Sequence, residues 1–88
     1  MSDVLESLKK QLALQEWPDV FLFKFISPND SKLIAKVTAL FDDGTDLKFN
    51  QSKTGKYVSI SAKEMMIDVE SIIDRYKEVA KIKGIIAL

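Results

Sequence analysis

The chain has 88 residues, of which 47% are hydrophobic and 30% charged, and this composition is typical of one small folded domain. Thirteen basic and thirteen acidic residues cancel. We therefore expect no nucleic-acid partner, because binding to phosphates requires a dominant positive field. Cysteine and histidine are both absent, which excludes disulfides, cysteine nucleophiles, zinc sites and histidine acid–base catalysis. The composition predicts a protein that is not an enzyme and holds no cofactor or metal.

The N-terminal segment lacks the basic region and apolar run of a signal peptide. No apolar segment approaches the roughly 20 residues that cross a bilayer. We therefore expect a cytoplasmic protein with no membrane partner.

The first 15 residues predict a short helix, because Leu5, Leu8 and Leu12 recur at helical spacing. Trp17-Pro18 ends this helix, since the residue before a proline avoids the helical region. Residues 16–88 are expected to form a single domain. Its first strand, residues 20–26, is almost continuously apolar, which predicts a central strand covered on both faces.

A helix with an apolar stripe follows and is expected to end at Asp42-Asp43-Gly44, with Gly44 in the left-handed conformation. Residues 45–52 alternate between apolar and polar, which predicts an edge strand, and a polar hairpin connection follows it. Residues 57–62 alternate in the same way. Residues 63–67 could extend that strand, form a loop or begin the second helix.

A second helical stripe runs from Val69 to Ala80, and the apolar residues 85–88 form a last strand. The order strand–helix–strand thus occurs twice, which predicts a ferredoxin-like βαββαβ sandwich of the α+β class. Its four-stranded antiparallel sheet has the first and third strands at the centre and two helices on one face. We expect the core to take the aromatic residues, including Phe23, Phe25 and Phe49, and we expect the N-terminal helix to lie outside this unit.

The opposite sheet face is predicted to carry a mixed set of side chains that includes Leu22 and Ile26. Its other members form a candidate ligand or partner surface: Lys24, Lys48, Asn50, Tyr57, Ser59 and Ser61. A desolvated lysine can act as a base or nucleophile, but a lysine in this position more often extends to water along an apolar face. The leucines of the N-terminal helix are expected to pack near the apolar part of this face or to serve a dimer.

Asp42, Asp43 and Asp46 form the densest group of carboxylates. Clustered oxygens can bind magnesium or calcium, but the alternating spacing and distal glutamate of a calcium loop are missing. The group is interpreted as a turn.

Several segments resemble the YbeD-like family of bacterial proteins, domain of unknown function 493. They are Glu16-Trp17-Pro18 before the first strand, the hairpin from Ser52 through Gly55 to Tyr57, and Tyr76 before the closing strand. The resemblance implies a ferredoxin-like fold similar to ACT-type regulatory domains, with no catalytic residues. ACT-type domains bind effectors at a glycine-containing turn after the first strand, commonly at a dimer interface. Residues 27–30 contain no glycine, which argues against an amino-acid site of that type.

Two functions follow as hypotheses. The first is a regulatory or protein-interaction module that binds another protein, or a second copy in a homodimer, through its sheet face or edge strand. The second is a sensor of an anionic metabolite or amino acid near Lys24, Ser59 and Ser61, on the sheet face or at a dimer interface.

Overall fold

The computed structural model describes residues 2–88, with side chains from Leu5 onward, and this part of the chain contains three helices and four strands. Their order is α1 (Ser2–Leu12), β1 (Asp19–Pro28), α2 (Ser31–Thr38), β2 (Asp46–Gln51), β3 (Tyr57–Met66), α3 (Val69–Ala80) and β4 (Ile86–Ala87). The strands form one antiparallel sheet in the order β2-β3-β1-β4. The predicted ferredoxin-like order, with the first and third strands at the centre, is confirmed.

Several element boundaries differ from the expectation. Strand β3 continues to Met66, so most of the segment left open in the sequence extends the strand. Helix α2 ends at Thr38, and positive φ angles occur at Gly55 and Gly84, not at Gly44. The amide groups of Leu40 and Phe41 donate to the carbonyls of Val37 and Thr38. These short-range bonds satisfy carbonyls at the helix end without a left-handed glycine.

Both later helices begin at an aspartate that accepts backbone amide bonds. The Asp30 carboxylate accepts from the Lys32 amide at 2.8 Å. At α3, the Asp68 carboxylate accepts from the Ser71 amide at 2.9 Å, and the Ser71 hydroxyl oxygen accepts from the Asp68 amide at 3.4 Å. These caps satisfy amides that lack a partner within the helix. The reciprocal cap at Asp68 lets α3 begin directly after the end of β3.

The core lies between the sheet and the helices and is built on aromatic rings from β1. Phe23 and Phe25 are fully buried, and Phe41 is nearly so. The Phe23 and Phe41 rings meet edge to face with centroids 5.5 Å apart, a favourable arrangement for aromatic pairs. Core packing of these rings is confirmed. Phe49 is an exception, since it lies on edge strand β2 and stays 49% exposed.

Helix α1 packs in the helix layer. Leu12 at its end is buried in the core, and the Trp17 indole N–H donates to the Leu12 carbonyl at 2.9 Å. Lys9 forms a 2.9 Å ion pair with Glu70 of α3. The prediction that its leucines pack near the apolar part of the opposite sheet face is therefore wrong. Trp17 contacts Phe21 on the core side of β1 and thereby fixes α1 on that side.

A half-buried ion pair joins α3 to β3. The Arg75 guanidinium donates to both Glu64 carboxylate oxygens, at 3.2 and 3.0 Å, and the Thr45 hydroxyl donates to the same carboxylate at 2.9 Å. The guanidinium carbon lies 4.6 Å from the Phe41 ring centroid, close enough for a cation–π contact. The hydrogen bonds from Arg75 lower the pKa of Glu64 against the opposing effect of burial. Four segments of the fold therefore meet at one charged cluster.

Candidate interaction surface on the sheet

The sheet has a second face that no helix of the described residues covers, and we call it the open face. Because side chains alternate along a strand, the neighbours of the buried residues Phe23 and Phe25 point to this other side. Val20 is 42% exposed and Leu22 is 58% exposed, although both lie on central strand β1. The prediction that β1 is covered on both faces is therefore wrong, and its apolar sequence has produced an exposed apolar surface.

Strand register brings the sequence-predicted residues together on the open face. Ser61 of β3 lies opposite Lys24 on one side and Lys48 on the other. One step along, Ser59 pairs with Ile26 on one side and Asn50 on the other. These two rows contain five of the six predicted residues. Tyr57, the sixth, pairs with Pro28 at the end of the sheet and is half exposed.

The open face is divided lengthwise into two halves of different character. The half over β1 and β4 is apolar, and we call it the apolar half: Val20, Leu22, Ile26 and Ile86. Ile86 pairs directly with Ile26 and is 57% exposed. The half over β3 and β2, the basic half, carries lysines and small polar side chains: Lys48, Asn50, Ser59, Ser61 and Lys63. Lys24 lies on β1 between Leu22 and Ile26 and so interrupts the apolar half, and the exposed Met65 lies on β3 at the end of the basic half.

The charge on the open face is mostly positive. Lys24, Lys48 and Lys63 are all exposed, and Asp46 lies opposite Lys63 in the register. The ion pairs found among the described side chains join other residues, at Lys9, Arg75 and Lys81. A chain with no net charge therefore presents a local excess of lysines on one face.

Four residues of the open face were missed by reasoning from the sequence: Val20, Lys63, Met65 and Ile86. Met65 pairs with Val20 and is 61% exposed. The alternation of β3 could have identified Lys63 and Met65, since both continue the parity of Ser59 and Ser61. They were missed because the sequence alone does not show whether residues 63–67 belong to the strand.

A separate groove lies between α1, α3 and β4, with a volume of about 590 Å³. The described residues that line it are uncharged and mostly apolar: Leu5, Ser7, Leu8, Gln11, Tyr76, Val79, Ala80, Ile85, Ala87 and Leu88. Burial raises the pKa of Tyr76, so its hydroxyl stays neutral there. The groove contains none of the predicted site residues.

Asp42, Asp43 and Asp46 are exposed. Among the side chains that the structure describes, no group of three or more carboxylates is arranged to hold a metal ion.

The architecture defines the class of protein, a ferredoxin-like α+β domain with an open sheet face. The family model "Protein of unknown function (DUF493)" matches residues 13–88, and the chain belongs to this family. No curated protein and no solved structure matches the chain. None of the helices in the described residues has the length and apolar character needed to cross a membrane.

Proposed function

We propose that the chain is a non-catalytic interaction module that binds another protein through the open face of its sheet. One observation carries this proposal, the group of large apolar side chains that the open face exposes to water. Leu22, Met65 and Ile86 are each more than half exposed. Single exposed apolar residues are ordinary, but a contiguous group on one flat face is typical of an interaction site.

The layer structure supports the same function. A sheet with apolar residues on both faces is stabilised when each face packs against another layer. Helices cover one face here, while the apolar half of the other has no layer from the described residues. A partner that covered it would remove apolar area from water, which is the main favourable contribution to association.

The absence of catalysis is part of the proposal. Lys24 is the residue for which the sequence raised nucleophilic chemistry, and it is exposed rather than desolvated as a reactive lysine requires. We further propose that its role is regulatory, as the resemblance of the sequence to ACT-type domains suggests, and that it acts in the cytoplasm. The fold alone specifies no activity.

Substitution of one leucine tests the proposal. Leu22→Glu should abolish co-purification of a stoichiometric partner with the tagged full-length protein from its own cells. Leu14→Glu is a matched control, because Leu14 is 87% exposed and lies outside the sheet. Both variants should keep the circular dichroism spectrum and melting temperature of the parent. Equal recovery of the partner with both variants would contradict the proposal.

A second candidate function rests on the row Lys24, Ser61 and Lys48. Neighbouring strands lie about 4.8 Å apart, so the two lysine backbones are about 10 Å apart with a small serine between them. Two long ammonium side chains at this separation can converge on one small anion above the Ser61 hydroxyl. This arrangement favours a sensor of a carboxylate or phosphate compound.

Amide NMR titrations with inorganic phosphate and with citrate test this second function. Saturable shifts centred on Ser61 should appear with the parent and weaken with Lys24→Ala or Lys48→Ala. Lys77→Ala on α3 is the control and should leave them unchanged. Shifts that grow linearly with anion concentration, or that weaken equally in all three variants, would rule out the site.

A further inference from the structure

We infer that the partner binds the open face as an amphipathic helix with an acidic edge, lying along β1. This inference rests on the proposed function and specifies the partner's chemistry. It depends on the unequal distribution of side chains on the face. Apolar residues predominate over β1 and β4, apart from Lys24, and lysines and small polar residues predominate over β3 and β2, apart from Met65. A partner that matches both halves needs an apolar stripe and, next to it, a negatively charged stripe.

The sign of the charge disfavours a second copy of the same face as the partner. Lys24, Lys48 and Lys63 are opposed on this face by Asp46. Two such faces brought together would place an excess of positive charge against an equal excess, and like charges suppress association. Acidic side chains on a different protein would instead complement the lysines and accelerate the encounter.

The way the strands are paired favours a helix. β1 is paired along its whole length to β3, but to β4 only at Phe25 and Ile26, and β3 is paired to β1 and β2. A partner strand therefore cannot add between β1 and β3, and contacts on the open face itself must be made by side chains. A helix presents one apolar stripe with a polar stripe beside it, which is the arrangement that the two halves require.

The length of the apolar half sets the length of the helix. From Val20 to Ile26 the strand advances about 20 Å at 3.3 Å per residue. A helix rises 1.5 Å per residue, so about 13 residues span this distance. Such a helix has nearly four turns, enough to place three or four apolar side chains over β1 and β4.

The basic half favours a protein partner over an anionic membrane surface. Asn50, Ser59 and Ser61 lie among the lysines. Burial of their polar groups in acyl chains would leave hydrogen bonds unmade. Polar side chains on a helix can satisfy these groups, so the row of small polar residues is compatible with a protein surface.

Designed helical peptides of about 14 residues test the inference. The acidic peptide has a leucine stripe with glutamates along one side, and in the basic peptide lysines replace the glutamates. A third peptide has the acidic composition but no apolar stripe. In amide NMR titrations we expect the acidic peptide to bind at least about tenfold more tightly than the basic one, with shifts at Leu22, Lys24 and Lys63. The third peptide should give no saturable shift.

Charge reversal provides the matched variant. The triple variant Lys24→Glu, Lys48→Glu and Lys63→Glu changes exposed side chains only, and we expect it to prefer the basic peptide. The preference of the parent should weaken as salt rises, because exposed charges are screened. In a further titration, phosphatidylglycerol vesicles should not shift the amide NMR signals of the open-face residues.

Three results would overturn the inference. Equal affinity for the acidic and basic peptides would show that the open face binds apolar helices without selecting their charge. Absence of saturable binding by either peptide would exclude a helix of this chemistry. Binding to vesicles alone would assign the face to a membrane surface. The co-purification test with Leu22→Glu is independent of the peptides, so the inference can fail while the proposed function stands.

Discussion

Replacement of Phe23 by alanine should lower the free energy of unfolding by about 3 to 5 kcal/mol, whereas Leu22→Ala should change it by less than about 1 kcal/mol. The two residues are adjacent on β1 and differ in the face they occupy. Phe23 is fully buried and Leu22 is 58% exposed. The pair therefore measures directly which side of the sheet is core.

The expected loss at Phe23 has an identifiable cause. Its ring contacts Phe21, Phe41 and Tyr76 at centroid distances of 4.8, 5.5 and 5.5 Å. Truncation to alanine removes these contacts and leaves a cavity that the surrounding side chains fill only partly. Small domains have free energies of unfolding of about 5 to 15 kcal/mol, so this one change would remove a large part of that stability.

Urea denaturation followed by tryptophan fluorescence and circular dichroism supplies the measurement, and Leu14→Ala is the exposed control. If Leu22→Ala cost as much as Phe23→Ala, the open face would be packed against something in the isolated protein. That result would remove the main support for an interaction surface.

Arg75→Ala should cost about 2 to 4 kcal/mol. Loss of one partner from a buried pair costs about 3 to 5 kcal/mol, and we place the range lower because the Arg75 and Glu64 side chains remain 19% and 17% exposed. The change leaves the Glu64 carboxylate half-buried without its counter-charge and removes the cation from the Phe41 ring. Lys81→Ala is the matched control, since its pair with Glu78 is largely exposed and such pairs contribute less than about 1 kcal/mol.

The pH dependence of stability should identify the same ion pair. Arg75 holds the pKa of Glu64 below its usual range, so the folded state favours the ionised carboxylate. The resulting stabilisation is complete above the ordinary glutamate pKa of about 4.3 and is lost as the pH falls through the lowered value. The parent should therefore lose stability more steeply below about pH 4.3 than Glu64→Gln does. Parallel curves for the two proteins would show that Glu64 has no such role.

Much of the fold could be predicted from local pattern. The apolar run at residues 20–26 indicated a central strand, and the stripe from Val69 to Ala80 matched α3. The six predicted surface residues share one face because alternation along a strand is a local property. Register then brought Lys24, Ser61 and Lys48 into one row.

The errors concern properties that are not local. An apolar strand has the same sequence whether a helix or a partner covers its second face, so the exposure of Leu22 could not be deduced. The position of α1 depended on the contact of Trp17 with Phe21 and on its bond to Leu12, which only the tertiary structure specifies. The Glu64–Arg75 pair was missed for the same reason, although Arg75 is the single arginine of the chain.

Site-specific photo-crosslinking in the native cells tests most directly whether the open face is a protein-binding surface. A benzoylphenylalanine at position 65 lies on the open face, and one at position 14 lies off the sheet at a more accessible position, since Met65 is 61% and Leu14 87% exposed. We expect a discrete adduct with one protein from position 65, no such adduct from position 14, and its loss when Leu22→Glu is added. Identical adducts from both positions, or none from position 65, would contradict the account.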